Sequence, residues 1–281
     1  ALAESDVIIV FGTPFDFRLD YGRALPASTK LVQVDLDGAE LGRNRRLDVA
    51  IHGDSGVVLE QLLEAVPSKK AEAWLSAVRE AETKSRAKML AEIESEANPP
   101  NPLRVCSELG KRLGKDDVII GDGGDFVATA AYVLKLEAPQ VWMDPGPLGT
   151  LGVGPGYAMA AKLTRPDANV VLVYGDGSFG FHALEFEAMA RQGIPVVAWT
   201  QIRRGQVELY GKERSVATAL DHTRYEKVVE ALGGFGAYVE TVAELGPALD
   251  AAFRAANEEK RPACVNVKIA TSDFRKGAIS V

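Results

Sequence analysis

The stretch from Val170 to Ala190, VVLVYGDGSFGFHALEFEAMA, constrains the fold of this chain more than any other. Val170 to Tyr174 is an apolar, β-branched run of the length of a fully buried strand. Gly175, Asp176, Gly177 and Ser178 follow as a turn that carries one carboxylate. Leu184, Phe186, Met189 and Ala190 then predict a helix, with Glu185 and Glu187 breaking the apolar run. After Gln192 and Gly193, Ile194 to Ala198 read as a second buried strand. Strand, glycine turn, helix and strand make a parallel βαβ unit, so the chain is expected to be α/β.

The turn suits a diphosphate. Backbone N–H groups at a helix start are unpaired, and the helix dipole favours an anion there. Glycines let the backbone approach phosphate oxygens closely. Asp176 can hold a divalent ion that bridges those oxygens, since Mg²⁺ is usually bound through one or two carboxylates plus phosphate. The same residues also read as a plain tight turn N-capped by Ser178.

Composition bounds the rest. A chain of 281 residues that is 47% hydrophobic can bury one large core or two small ones. A net charge of −7 without a basic cluster argues against nucleic acid as a partner. Cys106 and Cys264 are too few for a disulfide framework or a zinc site and fit a reducing, cytoplasmic setting. No apolar run reaches membrane-spanning length. Ala1 to Val10 reads as domain interior rather than as a leader, and something N-terminal to it is expected.

In chain order, Asp6 to Thr13 reads as a buried parallel strand ending in a glycine turn, and Phe15 to Arg18 as the loop after it. Lys30 to Asp37 is a second strand, with Asp35 and Asp37 at its carboxyl end, where ligands gather in open α/β sheets. Val49 to Gly53 is a third. Asp54 or Ser55 then caps a helix through Val58, Leu59, Leu62 and Leu63. His52 reads as a strand-end residue rather than a catalyst. Residues 67–97 read as a long helix with solvated faces, stopped by the proline-rich segment from Asn98 to Pro102. A second α/β unit follows. Leu103 to Leu113 is a helix and Asp117 to Ile120 a strand. Gly121, Asp122, Gly123, Gly124 and Asp125 form another glycine and carboxylate turn, with a helix from Phe126 to Leu134 after it. Asp144 to Gly156 is the most glycine-rich loop and leads into a small-residue helix from Tyr157 to Lys162. Glycine-rich turns at 121, 146 and 175 are therefore expected to converge on one rim of a parallel sheet. Arg203 and Arg204 lie in a polar loop and read as anion contacts or as an exposed basic pair. Asp221 to Leu232 is read as a helix, Ala237 to Glu240 as a strand, Leu245 to Ala256 as a helix and Pro262 to Ile269 as the last buried strand.

These residues resemble the thiamine diphosphate-dependent enzymes of the acetolactate synthase superfamily. The combination that carries the resemblance is Gly149-Thr150-Leu151-Gly152 with Gly175-Asp176-Gly177, supported by Val34-Asp35-Leu36-Asp37 and Glu40-Leu41-Gly42. Gly154 to Ala161 and Ser178 to Phe181, with Glu185 and Glu187, look most like the 2-hydroxyacyl-CoA lyase and oxalyl-CoA decarboxylase branch. Asp37 to Arg43 is similar to benzaldehyde lyase. The resemblance implies two parallel-sheet α/β domains: residues 1–66 as part of the central domain, 67–100 as an interdomain helix and linker, and 101–281 as the diphosphate-binding domain.

By the same resemblance, Asp176 is the Mg²⁺ ligand, and Gly177 and Ser178 contact the diphosphate. Gly123, Gly124 and Asp125 lie beside the cofactor. The Gly149 carbonyl holds the cofactor's amino group, and Leu151 is the apolar wedge that bends the cofactor. The implied activity is that of a carbon–carbon lyase or carboligase on 2-hydroxyacyl-CoA or 2-keto acid substrates, with aldehydes as co-substrates. Acetolactate synthase-like condensation and a catalytically inactive fragment are the alternatives. The implied assembly is a homodimer or homotetramer, and the central domain holds ADP, FAD or neither. Two departures stand out. The family's activating glutamate sits on an N-terminal domain not found in these residues. The family's asparagine metal ligand has no counterpart either, because no asparagine occurs between Asn169 and Asn257.

Overall fold

The structure, a computed structural model, describes residues 2–68, 70–199, 222–270, 272 and 274. It divides into two compact units, one running to Arg86 and the other starting at Ala87.

The first unit holds a three-stranded parallel sheet in the order β1 (Val7–Phe11), β2 (Lys30–Asp35), β3 (Val49–His52). Val7 pairs with Lys30 and Val32 with Val49. Its small core is Phe15, Leu25 and Leu31, with Ile8, Val10, Leu19 and Leu47 against it. The expectation that β1 is buried is corrected: Val7 is 53% and Ile9 43% exposed. Side chains alternate across a strand, and only the Ile8 and Val10 face meets the core. Helix α1 (Ser55–Ala65) is capped by Asp54, whose carboxylate accepts from the Val57 N–H at 3.0 Å. Helix α2 (Glu72–Ile93) is shorter than the predicted 67–97 and has no buried residue.

In the second unit a six-stranded parallel sheet runs in the order β5 (Trp142–Met143), β4 (Val118–Asp122), β6 (Val170–Tyr174), β7 (Val197–Trp199), β9 (Ala263–Val267), β8 (Phe235–Val239). β4, β6 and β9 are buried at every residue, as strands covered on both faces are; β6 is wholly apolar, while β4 ends in Asp122 and β9 carries Asn266. Helices α3 (Pro102–Gly110), α4 (Asp125–Val133) and α9 (Val242–Asn257) pack on one face, through Val105, Leu109, Ala130, Leu245 and Leu249. Helices α5 (Gly154–Thr164), α6 (Asp176–His182), α7 (Glu185–Gln192) and α8 (Tyr225–Ala231) pack on the other, through Ala158, Phe179, Phe186, Met189 and Val229.

Several predicted boundaries move. The strand expected from Ile194 begins at Val197, since Pro195 has no N–H to give the ladder, although Ile194 and Val196 stay buried. The residues read as a turn at Asp176 to Ser178 already form the first turn of α6, and a separate α7 follows. Helix α8 begins at Tyr225 rather than Asp221; just before it, the Thr223 carbonyl accepts from the Asn266 amide at 2.8 Å. Arg203 and Arg204 lie outside the described residues.

Candidate functional site

Neighbouring strands β4 and β6 send their following helices to opposite faces of the sheet, α4 to one and α6 to the other. Such a switch point opens a crevice beyond the carboxyl ends of the two strands. The three glycine-rich turns meet there.

Asp122, the last residue of β4, joins them. Its side chain is 0% exposed. Oδ1 accepts from the Gly152 N–H at 2.9 Å and Oδ2 from the Gly154 N–H at 2.7 Å. Its carbonyl accepts from the Gly175 N–H at 2.8 Å. The turns touch so closely that side chains are excluded. A Cβ on Gly123, where φ is 149°, would lie 2.8 Å from the Gly175 nitrogen. One on Gly154 would lie 2.5 Å from Leu172 Cδ1 and 2.8 Å from Asp122 Cβ.

Each predicted site residue has a definite place. Gly124 is the N-cap of α4, with no side chain bonded over the cap, and Asp125 is the first residue of that helix. Gly149 ends a 3-10 turn in the left-handed region, φ 59°, with open space where a Cβ would point. Leu151 is half-buried two residues on. Asp176 opens α6, half-buried, and its Oδ1 accepts from the Gly177 N–H at 2.8 Å. Ser178 is not a cap, which corrects that alternative. The N-cap of α6 is Gly175, and Ser178 lies within the helix, 0% exposed. Its Oγ is buried without a hydrogen-bond partner. An unsatisfied buried hydroxyl costs ~1–3 kcal/mol, so its presence beside a glycine cradle fits a bound group with acceptor oxygens. Among the described residues no group of three His, Cys, Asp or Glu could hold a metal by itself. A divalent ion held through Asp176 would therefore take oxygens from its ligand as well.

Four residues at the rim escaped the sequence reading. Asp122, predicted only as part of a turn, is the buried end of β4, and a carboxylate ending an apolar strand is the signal for it. Asp144 accepts from the Trp142 Nε1–H at 2.8 Å and the Gly146 N–H at 2.7 Å, fixing the start of the long glycine loop. His182 lies against the loop's exit: a Cβ on Gly152 would come within 2.5 Å of His182 Nδ1. Tyr225 packs against Phe179, with ring centroids 4.9 Å apart and the planes tilted by 51°. Burial raises the pKa of its phenol, and the Asp176 carboxylate adds to that. Burial likewise raises that of Tyr174, with Asp122 and Glu185 reinforcing it, and its OH is the other buried hydroxyl here without a partner. Asp35 and Asp37 belong to the first unit, where their carboxylates close turns onto the Asp37 and Ala39 N–H groups, both at 2.9 Å.

Comparison with known proteins agrees with this geometry. Residues 122–267 match the C-terminal TPP binding domain of thiamine pyrophosphate enzymes, and residues 1–62 match the central domain. The 2-hydroxyacyl-CoA lyase 2 of Danio rerio is 38% identical over 296 residues, an alignment covering 100% of this chain and 47% of that protein. The human 2-hydroxyacyl-CoA lyase 2 is 37% identical over 303 residues, covering 100% and 46%. The acetolactate synthase large subunit of Mycobacterium tuberculosis is 37% identical over 274 residues, covering 95% and 49%. The chain thus spans about half the length of the curated relatives it matches. In fold it is similar to the Rhodococcus jostii thiamine diphosphate-dependent 4-hydroxybenzoylformate decarboxylase, with a TM-score of 0.75 at 20% identity, over 97% of this chain and 50% of that one. Its carboxylate-centred rim and the domain match over more than half its length lead to one conclusion: the chain belongs to the thiamine pyrophosphate enzyme family.

Proposed function

We propose that this chain is the cofactor-binding half of a thiamine diphosphate- and Mg²⁺-dependent carbon–carbon lyase that also works in the ligating direction, on 2-hydroxyacyl-CoA substrates. One observation carries the proposal. Asp122 gathers three glycine turns around a buried Ser178 hydroxyl that has no partner of its own. Similarity to 2-hydroxyacyl-CoA lyases along the whole chain supports the substrate class.

In this reading Gly177 and Ser178 would contact the diphosphate, and Asp176 would hold the Mg²⁺ that neutralises it. Gly123, Gly124 and Asp125 would lie beside the cofactor, the Gly149 carbonyl would take its amino group, and half-buried Leu151 would be the apolar wedge against it. When bound, the cofactor supplies a carbon nucleophile and an electron sink for carbanion chemistry. The chain's own part is to fix that group, to admit it closely through glycines, and to keep water from its reactive end with Leu151. Residues 1–66 serve as part of the central domain, 67–100 as the linker and 101–281 as the diphosphate domain. The activating glutamate comes from outside these residues. Leu148, Phe181 and Leu184, at 85%, 65% and 75% exposed, leave apolar surface that suits a homodimer or homotetramer. The buried, unbonded thiols of Cys106 and Cys264 suit a reducing, cytoplasmic setting.

Titration calorimetry with thiamine diphosphate tests the proposal. Binding is expected with Mg²⁺, weak or absent with EDTA, and lost in Asp176→Ala. Equal binding by Asp176→Ala would overturn it. The mycobacterial relative favours a second reading, condensation of 2-keto acids as in acetolactate synthase. Turnover of formyl-CoA with an aldehyde, set against turnover of pyruvate, separates the two.

A further inference from the structure

We infer that Asp122 is a positioning residue for the cofactor's reactive end: by holding the Gly152 and Gly154 N–H groups, it sets the loop that carries Gly149 and Leu151. The inference rests on the thiamine diphosphate reading above and adds a division of labour within that site.

The loop between Asp144 and Gly154 has little packing at its middle, where Leu148, Gly149 and Thr150 are exposed. It is pinned at its ends instead. Asp144 holds the entry through Gly146 and Trp142. Asp122 holds the exit through Gly152 and Gly154. The two anchors differ in kind. Asp144 is exposed, whereas Asp122 is fully buried at the end of a central strand. Burying a carboxylate is costly, and here it receives two short bonds from main-chain amides. Those amides flank Val153, and that of Gly152 follows Leu151 directly, so loosening this exit moves the wedge.

The diphosphate end is fixed by other means. Gly175 bonds to the Asp122 carbonyl, not to its carboxylate. Asp176, Gly177 and Ser178 are carried by α6. Asp122→Asn preserves side-chain shape and the backbone carbonyl but turns an NH₂ group toward one of the two N–H donors. The exit of the loop should loosen while the diphosphate turn stays in place.

The test measures both ends separately. Amide exchange by NMR should accelerate at Gly152 and Gly154 in Asp122→Asn and stay unchanged at Gly175. By calorimetry with Mg²⁺, inorganic pyrophosphate should bind Asp122→Asn within about twofold of the unaltered chain, while thiamine diphosphate should bind at least about tenfold more weakly, the scale of one lost bond to a charged group. A merely structural role would weaken both ligands alike, and that result overturns the inference. So would unchanged thiamine diphosphate affinity. If the unaltered chain binds neither ligand, the cofactor reading falls, and the exchange data still decide whether Asp122 holds the loop. If Asp122→Asn does not fold, Asp144→Asn at the exposed entry should show the same selectivity at smaller amplitude; equal loss of both ligands there overturns the inference.

Discussion

Ser178 shows what a single side chain can reveal. Its hydroxyl is fully buried and unpaired, so the chain is less stable for having it. Ser178→Ala is therefore expected to leave the melting temperature of the ligand-free chain unchanged or higher. In the same variant, calorimetry should show Mg²⁺-dependent thiamine diphosphate binding weakened by ~1.5–3 kcal/mol, the value of a hydrogen bond to a charged group. A large loss of stability in the ligand-free chain would contradict this. The strand-to-helix junction at 175–178 was legible in the sequence because an apolar run ending in glycines and a carboxylate marks where a buried strand stops. The burial of Asp122 was not. Its partners lie 30 and 32 residues further along, and a linear string carries no sign of which N–H groups a carboxylate will reach.

Among the elements, α3 and α9 are tied by Arg112. Its guanidinium donates to Asp250 at 2.6 Å, to the Glu108 carboxylate at 3.3 Å and to the Gly246 carbonyl at 3.2 Å. The Arg112 hydrogen bond holds the Asp250 carboxyl below its ordinary value. Burial pushes Glu108 the other way, but Lys111, Arg112 and Arg104 outweigh it, and the net shift is also downward. A carboxylate with a lowered pKa stabilises the fold fully above its unfolded value, about 4, and loses that contribution as pH falls through the folded value. Arg112→Ala should thus cost on the order of 1 kcal/mol at pH 7, discounted for the exposure of Asp250. Urea titrations should show the gap to the unaltered chain narrowing near pH 3. Elements like these were well placed from sequence where runs were wholly apolar, as at β6. They were misjudged where one face is bare, because a β-branched run such as that of β1 reads the same in either case.

For the molecule as a whole, the two units differ in how much they bury. The first rests on a cluster centred on Phe15, Leu25 and Leu31, while the second has an extensive core on each face of its sheet. Calorimetry should resolve two transitions, with the first unit melting at the lower temperature. Mg²⁺ and thiamine diphosphate together should raise only the upper one, since every residue of the proposed site lies beyond Ala87. A single transition shifted as one would count against that division. The tie made by Asp122 also bears on how the gene can be rearranged. Its side chain grips Gly152 and Gly154 through space, and the intervening stretch has Lys135, Leu136, Glu137, Pro139 and Gln140 exposed. New chain ends or a guest domain placed there would leave the grip to reassemble across the cut, which makes this segment the natural seam for circular permutation.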